Sequence, residues 1–147
     1  MTKRVMLWVG AGEIGMAIAR RTGTGMKIVI GDKTLEKAER AAKLMKKAGF
    51  DAVPMEMNLA NCASIRKYVG AGSSYGDIAV LINAAGVSPS QASIETILKV
   101  DLYGTAVLLE EVGKVIAGGG AGVTISSQSG HRLPALAPEE DELLACT

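Results

Sequence analysis

Residues 5–15, Val-Met-Leu-Trp-Val-Gly-Ala-Gly-Glu-Ile-Gly, confine this chain to a narrow set of folds. An unbroken apolar run of strand type stops at Gly10, and residues 16–21 read as helix. Between them stands a Gly-x-Gly-x-x-Gly loop. Gly10 permits a sharp turn, Gly12 lets the backbone approach a pyrophosphate, and Gly15 lets the helix pack close to the strand. The helix start adds unpaired N–H groups and a partial positive charge. A second apolar strand, 26–31, ends at Asp32, twenty residues after Gly12. A carboxylate at that distance is placed to accept hydrogen bonds from ribose hydroxyls. The loop from Gly10 to Gly15, with Glu13 and Ile14 between the glycines, and Asp32 therefore form the candidate dinucleotide site.

Composition fits such a fold. A length of 147 residues suits one domain, and 48% apolar residues argue against disorder. The formal net charge of +1 supplies no global field towards nucleic acid or membrane. Lys43, Lys46 and Lys47 read as a solvated helix face. Cys62 and Cys146 have no metal-ligand spacing around them, so both are expected as free thiols of a reducing compartment. No metal site is expected. Residues 3–9 do not extend into a secretion signal because Glu13 interrupts too early. No stretch reaches membrane-spanning length, and a cytoplasmic location is expected.

Along the chain, Thr34 is placed to cap a helix carrying Leu35, Ala38, Ala41, Ala42 and Met45 at helical spacing. Residues 50–57 read as a third strand, and Pro54 puts it at a sheet edge. Asn61 caps a helix through Ile65 and Val69, with 70–76 as a flexible loop. Residues 78–82 form a fourth, wholly apolar strand. A long helix is expected over 94–116 with two apolar stripes. Ile97, Val100, Leu108, Val112 and Val115 make one, and Leu98, Leu102, Leu109 and Ile116 the other. A helix on a sheet needs only one stripe. The second is expected to meet a partner subunit or further parts of the same chain, with Gly104 allowing close approach there. Residues 118–122 read as a glycine-rich turn and 123–126 as a fifth strand. Segment 133–147, framed by Pro134 and Pro138, opens a helix with an acidic first turn, Glu139 to Glu142. Strands alternating with helices give an α/β, doubly wound parallel sheet of about five strands in the order 3-2-1-4-5. Its ligand crevice lies at the carboxyl ends of strands one and four. One dinucleotide-binding domain over 1–132 is expected, with 133–147 starting an insertion or active-site segment.

Several later stretches resemble the short-chain dehydrogenase/reductase family, a Rossmann-type fold. Leu81-Ile82-Asn83-Ala84-Ala85-Gly86 is similar to its Asn-Asn-Ala-Gly element, and Val100-Asp101-Leu102-Tyr103-Gly104 to its Val-Asn-Leu-x-Gly helix element. Residues 123–130, Val-Thr-Ile-Ser-Ser-Gln-Ser-Gly, resemble the strand that delivers its serine, and Asn58-Leu59 the pair that touches adenine. The resemblance covers nearly the whole chain. It implies an NAD(P)-dependent oxidoreductase moving a hydride between a nicotinamide and a small alcohol or ketone, with NAD favoured over NADP. Asp32 would repel a 2′-phosphate, and Lys33 would soften that repulsion. Asn83, Ala84, Ala85 and Gly86 would flank the cofactor's second ribose. Ser127 would polarise a substrate carbonyl, with Ser126 and Ser129 as neighbours. Asp101 falls where the family has a catalytic asparagine.

The loop itself departs from the family's Thr-Gly-x-x-x-Gly-x-Gly. The Tyr-x-x-x-Lys pair is also absent, since Tyr68, Tyr75 and Tyr103 have no lysine four residues on. In the family the tyrosine is the general acid. The 147-residue chain is thus expected to be an amino-terminal part, stopping before a sixth strand, that binds NAD without turnover. His131 is read as incidental. The alternatives are a non-catalytic domain that senses or holds a dinucleotide, and a Rossmann-type pocket for another nucleotide or S-adenosylmethionine. Neither nucleic acid nor membrane is an expected partner; a homo-oligomer through helix 94–116 is.

Overall fold

A computed structural model describes residues 2–132 and 134–145, the side chains of the last two excepted. Leu133, Cys146 and Thr147, part of the expected terminal segment, lie outside the described residues. Five parallel strands, β1 (Arg4–Val9), β2 (Lys27–Asp32), β3 (Asp51–Glu56), β4 (Asp77–Asn83) and β5 (Ile116–Thr124), form one sheet in the order β3-β2-β1-β4-β5. This is the expected doubly wound arrangement, with the order reversing between β1 and β4.

Both faces of β1 are covered, which is why its residues read as a continuous apolar run rather than an alternation. Met6 and Trp8 face α1 (Glu13–Thr22) and α2 (Leu35–Lys47), whose Ala19, Ala38, Ala41, Ala42 and Met45 are buried. Val5, Leu7 and Val9 face α3 (Cys62–Tyr75) and the helix 94–113, α4, which bring Ile65, Tyr68, Val69, Leu108 and Val112. Each buried Leu, Ile or Val contributes roughly 1.5–3 kcal/mol. Pro54 sits opposite Ile30 on the edge strand β3. There its missing N–H interrupts no ladder on the far side.

Thr34 occupies the cap position of α2 without a side-chain hydrogen bond. Asn61 caps α3 by accepting the Ser64 N–H at 3.0 Å. Residues 70–75, expected as a loop, continue α3 to Tyr75. Gly72 is tolerated there because it is buried against β1. A Cβ on it would stand 2.5 Å from Leu7 Cδ2.

Helix α4 begins where expected, with the Ser93 hydroxyl accepting the Thr96 N–H. It passes through a π-helical stretch, Leu98–Gly104, and ends at Gly113 instead of 116. Ile116 instead pairs with Ile78 and starts β5. The glycine run 118–122 is thus strand, not turn. Residues 117–120 bulge opposite Ala79 before Ala121 pairs with Val80, and Gly119 takes φ +77°. The expected strand residues Ile125 and Ser126 lie past its end. Gly104 does allow close approach, but within the chain: a Cβ there would come 2.2 Å from the Leu59 carbonyl oxygen. The second stripe is open, with Leu98, Leu102 and Leu109 each 44–52% exposed. Helix α5, Pro138–Ala145, carries the acidic first turn.

Candidate functional site

The carboxyl ends of β1, β2 and β4 open into a cavity of about 430 Å³. Its floor is the glycine loop. Gly10, at φ +84°, lies so close to the β4 exit that a Cβ would meet the Ala85 nitrogen at 2.6 Å. Only glycine suits both that backbone region and that contact. Gly12 faces open space, with nothing within 4 Å of a Cβ position. It is also the cap residue of α1, with no side chain to satisfy the helix's first amides. The Met16 N–H is the first to find a helical acceptor, Gly12 O at 3.1 Å. The first amides of a helix lack intrahelical acceptors and suit an anion, whereas those of Gly10 and Ala11 are already committed, to the Gly31 carbonyl and to Asp32. Gly15 is buried, and a Cβ there would come 2.1 Å from Trp8 Nε1. The third glycine therefore serves the helix–strand contact its spacing predicted.

Asp32 closes the other side. Its Oδ2 accepts the Ala11 N–H at 2.9 Å and its Oδ1 the Thr34 N–H at 3.0 Å. Each carboxylate oxygen keeps a further lone pair for a hydroxyl donor. Asn58 Oδ1 accepts the Ala60 N–H, and the Asn58 N–H donates to Ser64 Oγ, so this corner is an ordered turn. Leu59 is 5% exposed and forms part of the wall. Opposite, Ala84, Ala85 and Gly86 leave β4 with no bulk beyond a methyl. Asn83 lies buried beneath them, its Nδ2 3.4 Å from Thr105 Oγ1 and its Oδ1 3.4 Å from the Ala85 nitrogen.

Of the residues singled out from sequence, the cavity gathers Gly10, Gly12, Asp32, Lys33, Asn58, Leu59, Ala84, Ala85 and Gly86. Glu13 and Ile14 project outwards from the first turn of α1, Ile14 being 60% exposed. Gly15 and Asn83 act from below. Asp101 stands on the π-helical stretch of α4, outside the lining. Its Oδ1 accepts the Val87 N–H at 3.0 Å and so ties down the chain leaving β4. Ser127 is also outside the lining: exposed, three residues beyond β5, its Oγ accepting the Ser129 N–H at 3.1 Å. Tyr68 is buried. Its hydroxyl lies 2.8 Å from the Val29 carbonyl oxygen and 3.1 Å from that of Trp8, and burial drives its pKa far above the usual phenol value.

The cavity also takes in Lys37 and Arg40, which the sequence reading passed over, along with Thr34, Val87, Thr96 and Val100. The missed signal was spacing. Residues 37 and 40 share a helix face three apart, directly after Asp32. Among the described residues, no group of three His, Cys, Asp or Glu side chains could hold a metal ion, and no helix is long and apolar enough to cross a membrane.

An adenine dinucleotide fits this donor set. Glycine backbone and free amides suit a pyrophosphate, a carboxylate with spare acceptor capacity suits ribose hydroxyls, and apolar walls suit a base. The family model described as short chain dehydrogenase matches residues 4–138. The chain belongs to the short-chain dehydrogenase family. It is 36% identical over 133 residues to the short-chain dehydrogenase/reductase bsc3 of Alternaria brassicicola, covering 90% of this chain and 48% of that protein. The chain thus spans about half the length of this curated relative. Among solved structures, a variant of actinorhodin polyketide ketoreductase with NADPH superposes with a TM-score of 0.67 at 26% identity. The match covers 76% of this chain and 47% of the other. A short-chain dehydrogenase/reductase from Burkholderia phymatum in complex with NAD gives a TM-score of 0.68 at 22% identity, covering 78% and 44%.

Proposed function

We propose that this chain is the dinucleotide-binding part of a nicotinamide-dependent oxidoreductase that interconverts a small alcohol and its ketone. The observation that carries the reading is the union, in one cavity, of the open Gly12 backbone, the Asp32 carboxylate and the small residues leaving β4. The similar structures that hold NADPH and NAD support the same class of cofactor. Amides of the Gly12 turn and the α1 start would bind the pyrophosphate. Asp32 would accept the adenine ribose hydroxyls, and Asn58 and Leu59 would border the adenine. Ala84, Ala85 and Gly86 would flank the second ribose. The bound nicotinamide supplies the hydride chemistry.

Asp101 would act as a positioning residue for the 86–87 segment. Ser127, just past the carboxyl end of β5, would polarise the substrate carbonyl. We infer NAD as the preferred dinucleotide, because the Asp32 carboxylate repels a 2′-phosphate. Lys33, Lys37 and Arg40 in the same wall make the preference modest. The open stripe of α4 is proposed as the contact for a second copy, and a cytoplasmic setting suits a nucleotide enzyme with a free thiol at Cys62.

Calorimetric titration with NAD and NADP, on the chain and on Asp32→Ala, tests the reading. NAD should bind more tightly than NADP. Losing hydrogen bonds to a charged acceptor should weaken NAD by roughly ten- to hundredfold. A preference for NADP in the unaltered chain overturns the cofactor choice, and no binding of either overturns the function. The 147 residues hold no Tyr-x-x-x-Lys, so binding should occur without turnover. Alcohol oxidation by this chain alone would refute the need for that tyrosine acid.

A further inference from the structure

We infer that Trp8 is a positioning residue for the phosphate-binding loop, acting through its indole N–H. Trp8 is the chain's single tryptophan and is fully buried on β1. Its Nε1 donates to the Gly10 carbonyl oxygen at 2.6 Å. The same peptide group is held at its other pole, where the Ala11 N–H donates to Asp32 Oδ2 at 2.9 Å. The Gly10 N–H, one peptide earlier, donates to the Gly31 carbonyl at 2.8 Å.

The peptide between Gly10 and Ala11 is therefore held at its carbonyl by an indole and at its N–H by a carboxylate. A peptide with both its carbonyl and its N–H committed cannot rotate without breaking a hydrogen bond. The chain enters α1 from that fixed peptide through Gly12, which lines the cavity. Gly15 completes the device, because any Cβ there would occupy the space of the indole nitrogen. A tryptophan chosen only for its apolar bulk would not require a donor aimed at a loop carbonyl. With the loop fixed before ligand arrives, a pyrophosphate meets amides already ordered, and less ordering entropy opposes binding.

The inference rests on the dinucleotide reading, and the test separates the two. ADP and adenosine are titrated by NMR into the chain, into Trp8→Phe, and into a chain carrying benzothienylalanine at position 8, which keeps the indole shape without its N–H. Hydrogen exchange of the Ala11 amide is followed without ligand. Losing one hydrogen bond that orders the loop should weaken ADP by about tenfold and leave adenosine within about twofold. Ala11 exchange should speed up in both altered chains, with far-UV dichroism unchanged. A merely structural tryptophan would lower the melting temperature without separating ADP from adenosine. Equal ADP affinity in the unaltered and benzothienylalanine chains overturns the role of Trp8 alone. Failure of the unaltered chain to bind either ligand overturns the dinucleotide reading.

Discussion

Gly15 and Trp8 form one packing unit. A methyl at Gly15 must displace the indole nitrogen that would lie 2.1 Å away. Overpacking of this kind costs typically 1–3 kcal/mol. Gly15→Ala should therefore destabilise the chain by about that much in urea unfolding. In the Trp8→Phe background the smaller ring leaves room, and the added cost should fall to less than half. Groups in contact are expected to couple in this way; additive costs would show that the two do not share space. Asp51 offers a second residue-scale test. Hydrogen bonds from Lys27 at 2.8 Å and from Lys3 hold its carboxyl below the usual aspartate value of 3.8. A depressed folded-state pKa contributes stability above the unfolded value, lost as pH falls through the folded one. The slope of stability below about pH 4 should shrink in Asp51→Asn. The change stays below about 1 kcal/mol, since the side chain is 45% exposed and solvent screens the pairs.

At the scale of elements, what the sequence revealed tracked how local each signal was. The first four strands, the glycine loop, Asp32 at the end of β2 and the Asn61 cap each depend on neighbours within a few positions, and fall as read to within a residue or so. The misread boundaries depend on distant contacts. Residues 70–75 look like a loop by composition, but they continue α3, and Gly72 stands there because Leu7 on β1 leaves no room for a side chain. Ile116 suits a helical stripe as well as a strand, and only its pairing with Ile78 decides. The glycines at 118–120 form a bulge in β5 that no local rule announces. The donor role of Trp8 was hidden because an apolar run does not show where an indole N–H points.

Gly104 was recognised as a close-approach residue but assigned the wrong neighbour. Its real neighbour, the Leu59 carbonyl, makes a prediction possible. A Cβ 2.2 Å from a backbone oxygen cannot be relieved by rotating a side chain. Gly104→Ala should destabilise by about 1–3 kcal/mol. It should also push Leu59 into the cavity, so that ADP affinity falls more than stability alone explains. Unchanged ADP binding at a temperature where the variant is folded would show that α4 does not set that wall.

For the molecule as a whole, the question is what its uncovered surfaces do. Ile94, Leu98, Leu102, Tyr103 and Leu109 are all 44–77% exposed on one helix. Strand β5 lies at the end of the sheet, with Val123 and Ile125 exposed at its exit. An exposed apolar helix face together with an edge strand is a combination that soluble monomers avoid. Nor does charge oppose association, since the formal net charge is +1. The 147-residue chain should therefore self-associate, detected by sedimentation velocity as a concentration-dependent shift above the monomer. Leu98→Glu with Leu102→Glu puts two carboxylates on the open stripe without touching the buried Leu108 and Val112. That pair should return the chain to monomer while leaving NAD affinity within about twofold, because neither side chain lines the cavity. Persistent association would move the contact to the β5 edge, where Val123→Lys should then disrupt it. A concentration-independent monomer in the unaltered chain would mean that neither surface drives self-association.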